Sequence, residues 1–587
     1  MVSKAFSMGL FGMHAFKVEV ECDLSPGLPA FDLVGLPDAA VKESRNRVRA
    51  ALKNCGFDFP VSRITMNLAP ADVRKEGPVY DLPLLIALLK ATGQLNVNTD
   101  DCIFAGELSL SGALHPVRGV LSMAIEAGKL GYTRMFVPAE NAYEAAVVTG
   151  LSVYPVPDVF TLIDHLRGTK PILPAAPYHS DPKNQPPLPD FADVKGQAQA
   201  KRALEIAASG GHNVLLIGSP GSGKSMLAKR LPSILPQMCF EEMIETTEIH
   251  SVAGLLPSNT ALIETRPFRS PHHTISGPGL SGGGSIPRPG EISLAHNGVL
   301  FLDELPEFSR SSMETLRQPL EDGVVTVSRV NGTVSFPCKF MLVAAMNPCP
   351  CGYYGHPTRP CTCSETAVAR YLGRVSGPLL DRIDLHIEVP PVDFRDLSNT
   401  AKEESSASIK ARVDAARDIQ NKRFANTGIT CNAQIPPEML HEVCRTAPAA
   451  DALLKNAFEK FGLSARAYDR VLKVSRTIAD LDSSRDIEAR HALPHARPQI
   501  LDEIELYELK RSSSSRRSHR VSCENSAVYF NTPLPCVFPF IPKFPSKARC
   551  SLHKHRARSL QNRPCTTDRR RSRRARRGRA GERFCPP

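Results

Sequence analysis

Residues 213–225 read NVLLIGSPGSGKS, an apolar run followed by a glycine-rich turn, a lysine and a serine. The apolar run predicts a buried strand, and the glycines lie where that strand would turn into a helix. Glycine backbone can approach phosphate oxygens closely, the lysine can reach the β- and γ-phosphates, and the hydroxyl after it can bind Mg²⁺. The sequence therefore predicts a phosphate-binding loop for ATP and Mg²⁺. Its residues are Gly218, Ser219, Pro220, Gly221, Ser222, Gly223, Lys224 and Ser225.

Two further strand-like runs end in polar side chains. Residues 298–302 precede Asp303 and Glu304, and residues 340–345 lead to Asn347. When two acids at a strand end follow a phosphate-binding loop, they are expected to have different roles in nucleotide hydrolysis. Asp303 would hold Mg²⁺, and Glu304 would polarise the attacking water. Asn347 could orient that water or sense the γ-phosphate, or it could simply begin the loop before a proline.

Composition separates the tail from the rest of the chain. The 587 residues allow three or four domains and carry a formal charge of +12. Residues 511–587 hold 20 basic and 3 acidic side chains, whereas residues 1–510 hold 52 and 57. The basic balance therefore belongs to the tail alone. The absence of a signal-like apolar start, of a membrane-length apolar run and of a disulfide framework predicts a cytoplasmic protein with no membrane partner.

The pattern along the chain predicts a multidomain α/β protein. Residues 1–165 alternate short strand-like and helical runs, and residues 166–190 form a proline-rich linker. Residues 191–395 read as strands and helices around the phosphate-binding loop, which favours a parallel sheet. Residues 396–500 become helical, with an apolar face from Leu463 through Leu481, and predict an all-α lid. Residues 501–587 cannot form a core and predict a disordered basic tail.

Several motifs together resemble one known family. Residues 191–197 (FADVKGQ), 269–274 (RSPHHT) and 377–384 (GPLLDRID) join the phosphate-binding loop, the two acids and the asparagine. The set resembles the magnesium-chelatase-like AAA+ ATPases, specifically the YifB/ComM group, over roughly residues 5–490. The resemblance implies an AAA+ P-loop ATPase core with a helical lid, ATP and Mg²⁺ as cofactors, assembly as a homo-hexamer, and Asn347 as the first sensor.

The same resemblance assigns roles to arginines. Arg382 is the candidate arginine finger, supplied to a neighbouring subunit, and Arg374 is the second choice. Arg466, in a Ser-Ala-Arg stretch of the predicted lid, is the candidate second sensor that contacts the γ-phosphate. Taken alone, each arginine would be read as a surface or salt-bridging side chain.

Residues 324–336 alternate around Asn331-Gly332, which predicts a β-hairpin. Related helicase-like AAA+ proteins place such a hairpin in a central pore, where Arg329 could contact a phosphate backbone; the alternative is a hairpin that only packs. The glycine-rich residues 277–285 resemble a second pore element of the family, although glycine-rich linkers are common.

Four cysteines form the one ordered cluster in the sequence. Cys349 and Cys351 are separated by nine residues from Cys361 and Cys363, so four thiolates could bind Zn²⁺ tetrahedrally. The C-x-C spacing is tighter than the usual zinc knuckle, and a reduced, solvent-facing loop is the alternative. His272 and His273 match the family without an assigned role, and capping or packing is favoured over metal binding.

The first domain resembles a Lon-protease-type α+β domain in residues 64–70 and 75–83. Active Lon proteases carry a serine after the Gly-Pro pair and a lysine after a later Gly-Gly-Leu stretch. Here those positions are Val79 and Leu121, neither of which can attack a carbonyl or act as a base. The sequence predicts a protease-like fold without protease activity.

The end of the lid departs from the family, because Pro494 and Pro498 break the helix expected there. The Arg, Ser, Pro and Cys usage that follows resembles translation of a shifted reading frame. The competing interpretation is a basic arm that binds nucleic acid. An intact-mass measurement on the native protein would separate the two.

The family resemblance implies the leading functional hypothesis, an ATP-driven, hexameric DNA motor with a helicase-like or branch-migration role in recombination or natural transformation, acting on single-stranded or branched DNA. The alternative is a chelatase-type motor subunit that drives Mg²⁺ insertion into a porphyrin. Asp396–Thr400 is the nearest match to the metal-binding motif of such systems, but it follows charged residues rather than a hydrophobic strand. A chaperone or protease ATPase is disfavoured by the missing catalytic pair.

Overall fold

The computed structural model describes residues 2–179, 187–258, 260–284, 287–329, 332–392 and 403–492, which all belong to one unit of the chain, Met1–Arg517. Some sequence predictions lie outside these ranges. They concern residues 180–186 of the linker, Ser285, Asn331, Asp396–Thr400, Pro494, Pro498 and the tail 501–587.

A seven-stranded mixed sheet forms the centre of the N-terminal part. Its strands and a small adjoining pair are β1 (Ser3–Phe11), β2 (His14–Ser25), β3 (Ala30–Val34), β4 (Arg63–Ala69), β5 (Cys102–Phe104), β6 (Glu107–Leu108), β7 (Leu114–His115), β8 (Arg134–Pro138) and β9 (Ser152–Val156). The order across the sheet is β3-β4-β2-β1-β5-β8-β9. Strand β2 pairs antiparallel with β1 and β4, and the other neighbours in the sheet are parallel.

Five helices cover this sheet. They are α1 (Ala39–Asn54), α2 (Asp81–Ala91), α3 (Val120–Lys129), α4 (Ala142–Ala145) and α5 (Val159–Leu166). Helix α1 begins where the Asp38 carboxylate accepts a hydrogen bond from the Val41 N–H at 2.7 Å. Helix α2 is apolar and buried along most of its length, and Arg47 of α1 pairs with its first residue, Asp81, at 2.6 Å. Mixed α/β structure is confirmed here, and the resemblance to a Lon-type domain stays a prediction.

The central part contains the parallel sheet that the sequence predicted. Its strands and hairpins are β10 (Val214–Ile217), β11 (Phe268–Arg269), β12 (Gly282–Gly283), β13 (Arg288–Pro289), β14 (Val299–Leu302), β15 (Val324–Arg329), β16 (Gly332–Pro337), β17 (Met341–Met346) and β18 (Leu385–Glu388). Five of them form the sheet in the order β11-β14-β17-β10-β18, with parallel neighbours throughout. Strands β10, β14 and β17 are almost wholly apolar because the sheet is buried on both faces.

Nine helices are described around this sheet. They are α6 (Ala198–Gly210), α7 (Lys224–Arg230), α8 (Phe240–Ala253), α9 (Gly277–Ser281), α10 (Glu291–Leu294), α11 (Arg310–Glu314), α12 (Arg317–Asp322), α13 (Glu365–Leu372) and α14 (Gly377–Leu380). Two apolar cores lie on opposite sides of the sheet, since alternate residues of each strand point to opposite faces.

Residues 403–492 are helical, as the periodicity predicted. They contain α15 (Ser406–Arg423), α16 (Pro437–Val443), α17 (Pro448–Phe461) and α18 (Ala465–Leu481). The apolar face was predicted to start at Leu463, but α18 begins only at Ala465 because Ser464 caps it, accepting a hydrogen bond from the Ala467 N–H. Val474 and Ile478 of α18 join the core beside α6, whereas Val471 packs among the helices themselves. That these helices act as a lid stays a prediction.

In the part of the chain that the structure describes, no helix combines the length and apolar character needed to cross a membrane.

Candidate functional site

The glycine-rich loop lies between a strand and a helix, as its sequence predicted. Strand β10 ends at Ile217, helix α7 begins at Lys224, and residues 218–223 connect them. The backbone of Gly218 lies so close to the next strand segment that a Cβ there would be 2.3 Å from the carbonyl oxygen of Val389. Only glycine fits this position, which keeps the start of the loop against the sheet.

The ammonium of Lys224 lies over this loop. Its Nζ donates to the carbonyl oxygens of Gly218 at 2.8 Å and Ser219 at 3.0 Å. Burial lowers the pKa of Lys224, and the negative charges of Asp303 and Glu304 oppose that effect. The ammonium of Lys224 and the backbone of the loop therefore lie close to the carboxylates of Asp303 and Glu304.

Ser222 and Ser225 provide hydroxyl groups on the same loop. The Ser222 Oγ is buried, has no hydrogen-bond partner among the described residues, and lies beside Gly218. The Ser225 Oγ donates to Asp303 Oδ2 at 2.5 Å. A hydroxyl and a carboxylate held together are the hard oxygen ligands that Mg²⁺ prefers. The donor set thus fits the predicted cofactor pair, ATP and Mg²⁺.

Glu304 and its neighbour His273 form a contact that sequence reasoning missed. Glu304 has a φ of +53°, a strained conformation for a residue with a side chain, and its carboxyl group is half exposed. His273 Nδ1 lies 3.3 Å from Glu304 Oε2. The ring of His272 lies tilted against that of His273 with centroids 4.1 Å apart, but its own Nδ1 faces Thr274. The two histidines follow β11, which lies beside β14, but a two-residue strand leaves too short a pattern to detect in the sequence.

Asn347 lies immediately after β17, and its Oδ1 accepts a hydrogen bond from Lys224 Nζ at 3.2 Å. Strands β10, β17 and β14 are neighbours in the sheet, so their carboxyl ends meet at one edge. The structure therefore brings together five predicted site residues from three segments of the chain. They are Lys224, Ser225, Asp303, Glu304 and Asn347.

The three predicted arginines lie elsewhere. Arg382 pairs with Glu321, and Arg466 extends toward the same carboxylate at 4.0 Å with 72% of its side chain exposed. Arg374 pairs with Glu307 at 2.8 Å. Within the described ranges, no hydrogen bond or ion pair joins any of these arginines to the phosphate-binding loop or to the two acids. Their roles therefore stay predictions about an assembled protein.

The predicted hairpin is present as β15 and β16, which pair from Val324 with Pro337 to Arg329 with Gly332. One face is buried through Val325, Val327, Val334 and Phe336. The hairpin therefore does pack against the rest of the protein. Gly12 of the N-terminal part lies directly against Val334 of the hairpin.

Arg329 is exposed near the tip of this hairpin. Its Nη1 donates to the Ser328 carbonyl oxygen, and its guanidinium lies against Gly283 of the glycine-rich segment. The two predicted pore elements therefore touch each other.

The cysteine cluster is assembled in the fold. The four sulfur atoms, from Cys349, Cys351, Cys361 and Cys363, all lie within 4.8 Å of one another. Backbone N–H groups of Tyr353 and Thr362 lower the pKa of Cys351 to about 5, which favours a thiolate. The metal assignment is taken up below.

The two positions that the sequence comparison predicted to replace a protease's catalytic pair are apolar and buried. Val79 lies in the 3-10 turn Pro78–Tyr80, and Leu121 lies in α3, where it packs with Leu262 of the central part. Neither side chain carries a group that could act in peptide hydrolysis.

A phosphate-binding loop at the carboxyl edge of a parallel sheet places the central part in the P-loop class of folds. Three family models match the chain. "Magnesium chelatase, subunit ChlI" matches residues 190–397, "Subunit ChlI of Mg-chelatase" matches residues 20–141, and "Magnesium chelatase, subunit ChlI C-terminal" matches residues 403–495.

Individual relatives narrow the assignment. YifB of Escherichia coli is 45% identical over 487 residues, which is 82% of this chain and 93% of YifB. Competence protein ComM of Haemophilus influenzae is 44% identical over 497 residues, 83% of this chain and 95% of ComM. The magnesium-chelatase 67 kDa subunit of Chlorobaculum tepidum is 28% identical over 274 residues, 46% of this chain and 36% of that subunit. The chain therefore belongs to the YifB/ComM family of magnesium-chelatase-like proteins.

Proposed function

We propose that the chain is an ATP-hydrolysing AAA+ motor that assembles as a hexamer and acts on single-stranded or branched DNA in recombination or natural transformation. The observation that carries the ATPase assignment is the convergence of Lys224, Ser225, Asp303, Glu304 and Asn347 at one edge of the parallel sheet. The DNA assignment is supported by the 44% identity to a protein named for competence.

Each residue has a defined part in this proposal. Lys224 and the loop backbone would bind the phosphates. Ser225 and Asp303 would hold Mg²⁺, which when bound neutralises charge on the transferred phosphoryl group. Glu304 would accept a hydrogen bond from the attacking water, and Asn347 would orient that water from the opposite side of the site.

An arginine from a neighbouring subunit would complete the site. Arg382 is held by Glu321 and makes no described contact with its own phosphate-binding loop, which is compatible with service to the next subunit. A finger of this kind is worth roughly 10³–10⁵ in rate, so hydrolysis would depend on ring assembly. Arg374 is the second candidate finger, and Arg466 would sense the γ-phosphate from the lid.

DNA would contact the tips of the hairpin and the glycine-rich segment. Arg329 is exposed at the hairpin tip, where a guanidinium can pair with a phosphate oxygen without reading the sequence. We infer that the N-terminal part, with Val79 and Leu121 at the protease positions, does not cleave peptides and serves in assembly or substrate handling.

The deciding experiment measures ATP hydrolysis with no DNA and with single-stranded, duplex and four-way-junction DNA. We expect stimulation by single-stranded or branched DNA, loss of hydrolysis in Glu304→Gln, and loss of stimulation alone in Arg329→Ala. Thr326→Ala, on the exposed face of the same hairpin, is the matched control and should keep both. Equal rates with and without every DNA would reject the motor assignment while leaving the ATPase intact.

Mixing two inactive variants tests whether the arginine finger acts across the subunit boundary. Lys224→Ala and Arg382→Ala proteins should each be inactive, whereas their mixture should recover part of the activity, because some interfaces then combine an intact loop with an intact finger. The same mixture with Arg374→Ala identifies which arginine acts. Isolated monomers that hydrolyse ATP as fast as assembled rings would refute the arrangement.

The chelatase alternative rests on the lower similarity to a chelatase subunit, 28% over less than half of this chain. A porphyrin-metallation assay with added chelatase partners would test it. A casein-degradation assay would test the inference that the N-terminal part is inactive as a protease.

A further inference from the structure

The four-cysteine cluster has the dimensions of a metal site. The measured sulfur separations are 3.3 Å between Cys349 and Cys351, 3.6 Å between Cys349 and Cys361, and 3.5 Å between Cys351 and Cys361. Four thiolates around Zn²⁺ at about 2.3 Å define a tetrahedron with edges of about 3.8 Å. Three of the four sulfurs therefore lie slightly closer together than a bound ion would place them, and the sulfur of Cys363 lies within 4.8 Å of the others.

Disulfides do not account for the cluster. A disulfide joins two sulfurs at about 2.05 Å, and each measured separation exceeds that by more than an ångström. All four residues are free cysteines.

Ordinary burial of thiols does not account for it either. Isolated cysteines are usually buried as small apolar side chains, yet only Cys349 is fully buried, and the other three lie at an intermediate depth. In the described ranges, no other group of three or more histidine, cysteine or acidic side chains converges in this way.

We propose that Cys349, Cys351, Cys361 and Cys363 bind one Zn²⁺ ion, and that the metal fixes a loop which braces the phosphate-binding site. All four positions of a tetrahedral ion would be filled by protein, as in structural rather than catalytic zinc sites. The claim that the metal loop supports the phosphate-binding site rests on the proposed ATPase function. The claim that the four cysteines bind zinc does not.

The loop touches the phosphate-binding site at three points. Asn347 lies only two residues before the first ligand, so the metal would fix the backbone that carries its amide. Gly352 lies directly against the phosphate-binding loop: its φ is +83°, and a Cβ there would be 2.4 Å from Pro220 Cδ. After the last ligand, α13 carries Tyr371 back to lie against the backbone N–H of Asn347.

Through these contacts, the loop that carries the four cysteines restrains Asn347 and Pro220. Without an ion, the loop would rely on partial packing of its cysteines against the apolar core and on the contact of Arg359 with Tyr353, because it contains no strand or helix between Cys351 and Cys361. Loss of the ion is therefore expected to loosen Asn347 and Pro220 without touching the residues that bind Mg²⁺.

The first measurement is metal content of the full-length protein, purified without a metal-binding tag, by inductively coupled plasma mass spectrometry. We expect one zinc per chain, retained in Cys239→Ser and lost in the Cys361→Ser/Cys363→Ser double variant. Replacement by Co²⁺ should produce the visible absorption bands of tetrahedral thiolate coordination. Cys361→His should keep the metal, because a Cys₃His set still suits zinc. A wild-type protein that binds no zinc, or a double variant that keeps it, overturns the metal site.

The second measurement is ATP affinity, with a fluorescent ATP analogue as the probe. We expect binding to weaken about tenfold when zinc is removed from the wild type by a chelator, and to return when zinc is restored. This reversible removal avoids a variant that fails to fold. If the protein binds zinc but its nucleotide affinity does not change when zinc is removed, the zinc site is supported and its effect on the phosphate-binding site is rejected. Zinc binding by a protein that never binds nucleotide rejects the proposed function instead.

Discussion

At the scale of single residues, the sequence predicted those site residues whose neighbours along the chain explain them. The phosphate-binding loop and the acids at Asp303 and Glu304 follow apolar strands directly, and local pattern is sufficient to place them. His273 could not be predicted, because its contact with Glu304 spans 31 positions and crosses between two parallel strands. The role of Arg382 stays a prediction for a related reason, since the proposed finger acts only across a subunit boundary.

The contact between His273 and Glu304 predicts a positioning role. A ring nitrogen 3.3 Å from the carboxylate limits the rotamers of a side chain whose backbone is already in a left-handed conformation. We expect His273→Asn to lower kcat for ATP roughly tenfold with little change in KM, because Glu304 would spend less time aligned with water. Steady-state kinetics measure both. His272→Asn, which alters the adjacent ring but not the contact, should stay near wild type.

A double variant separates positioning from a general structural effect. If His273 acts through Glu304, adding His273→Asn to Glu304→Gln should cause little further loss of the residual rate, measured in single turnovers with enzyme in excess. Independent, multiplying losses would contradict the assignment.

At the scale of elements, the fold was predictable where periodicity is long or composition is extreme. Strands β10, β14 and β17 are short continuous apolar runs, and the helical part showed a 3.6-residue repeat. Strand β11 has two residues and left no signal, and the order of the seven-stranded sheet depends on pairings between distant segments such as β1 with β5. Such pairings are set by tertiary packing, which a single sequence does not display.

Helix α18 is anchored by a buried charge network that predicts a large stability effect. Asp480 is almost fully buried and accepts hydrogen bonds from Arg423, Arg476 and the Asn432 amide. Removing its charge leaves two arginines without a counter-ion in a poorly solvated place. We expect Asp480→Asn to lower the free energy of unfolding of the helical part by about 3–5 kcal/mol.

Urea unfolding followed by circular dichroism measures this change. Asp414→Asn, which breaks a partly exposed pair with Lys410 on α15, should cost about 1 kcal/mol or less and controls for the loss of one carboxylate. A similar midpoint for the two variants would show that the network contributes little.

At the scale of the whole molecule, the N-terminal and central parts meet through α3 and α8. Leu121 and Val147 form a small apolar core with Leu262. Glu144 accepts hydrogen bonds from Ser251 at 2.5 Å and from the Leu121 N–H, and burial raises its pKa. None of this was predictable, since the partners are more than 100 residues apart and nothing in either helix pattern marks a docking face.

Glu248 makes this junction sensitive to pH. It lies on α8 near Ser122 of α3, and burial raises its pKa to about 7, an effect that the charge of Lys129 partly opposes and that Glu245 reinforces. A carboxyl group with a folded pKa above its unfolded value of 4.5 binds its proton more tightly in the folded state. Its contribution to stability is therefore fully present at low pH and is lost as pH rises from about 4.5 to about 7.

Glu248→Gln keeps the shape of the side chain and removes this titration. We expect the variant and the wild type to melt at similar temperatures at a pH of about 5, and the variant to melt ~2–5 °C higher at a pH of about 8, where the wild-type carboxylate is charged and poorly solvated. Thermal unfolding at the two pH values measures the difference, and Glu241→Gln on the exposed side of α8 controls for the loss of one negative charge. A variant that is less stable than the wild type at the higher pH would mean that the ionised carboxylate stabilises the junction, and the sign of the argument would be wrong. Because Glu144 stays in place in the variant and burial raises its pKa too, it is expected to contribute to any remaining fall in melting temperature with pH.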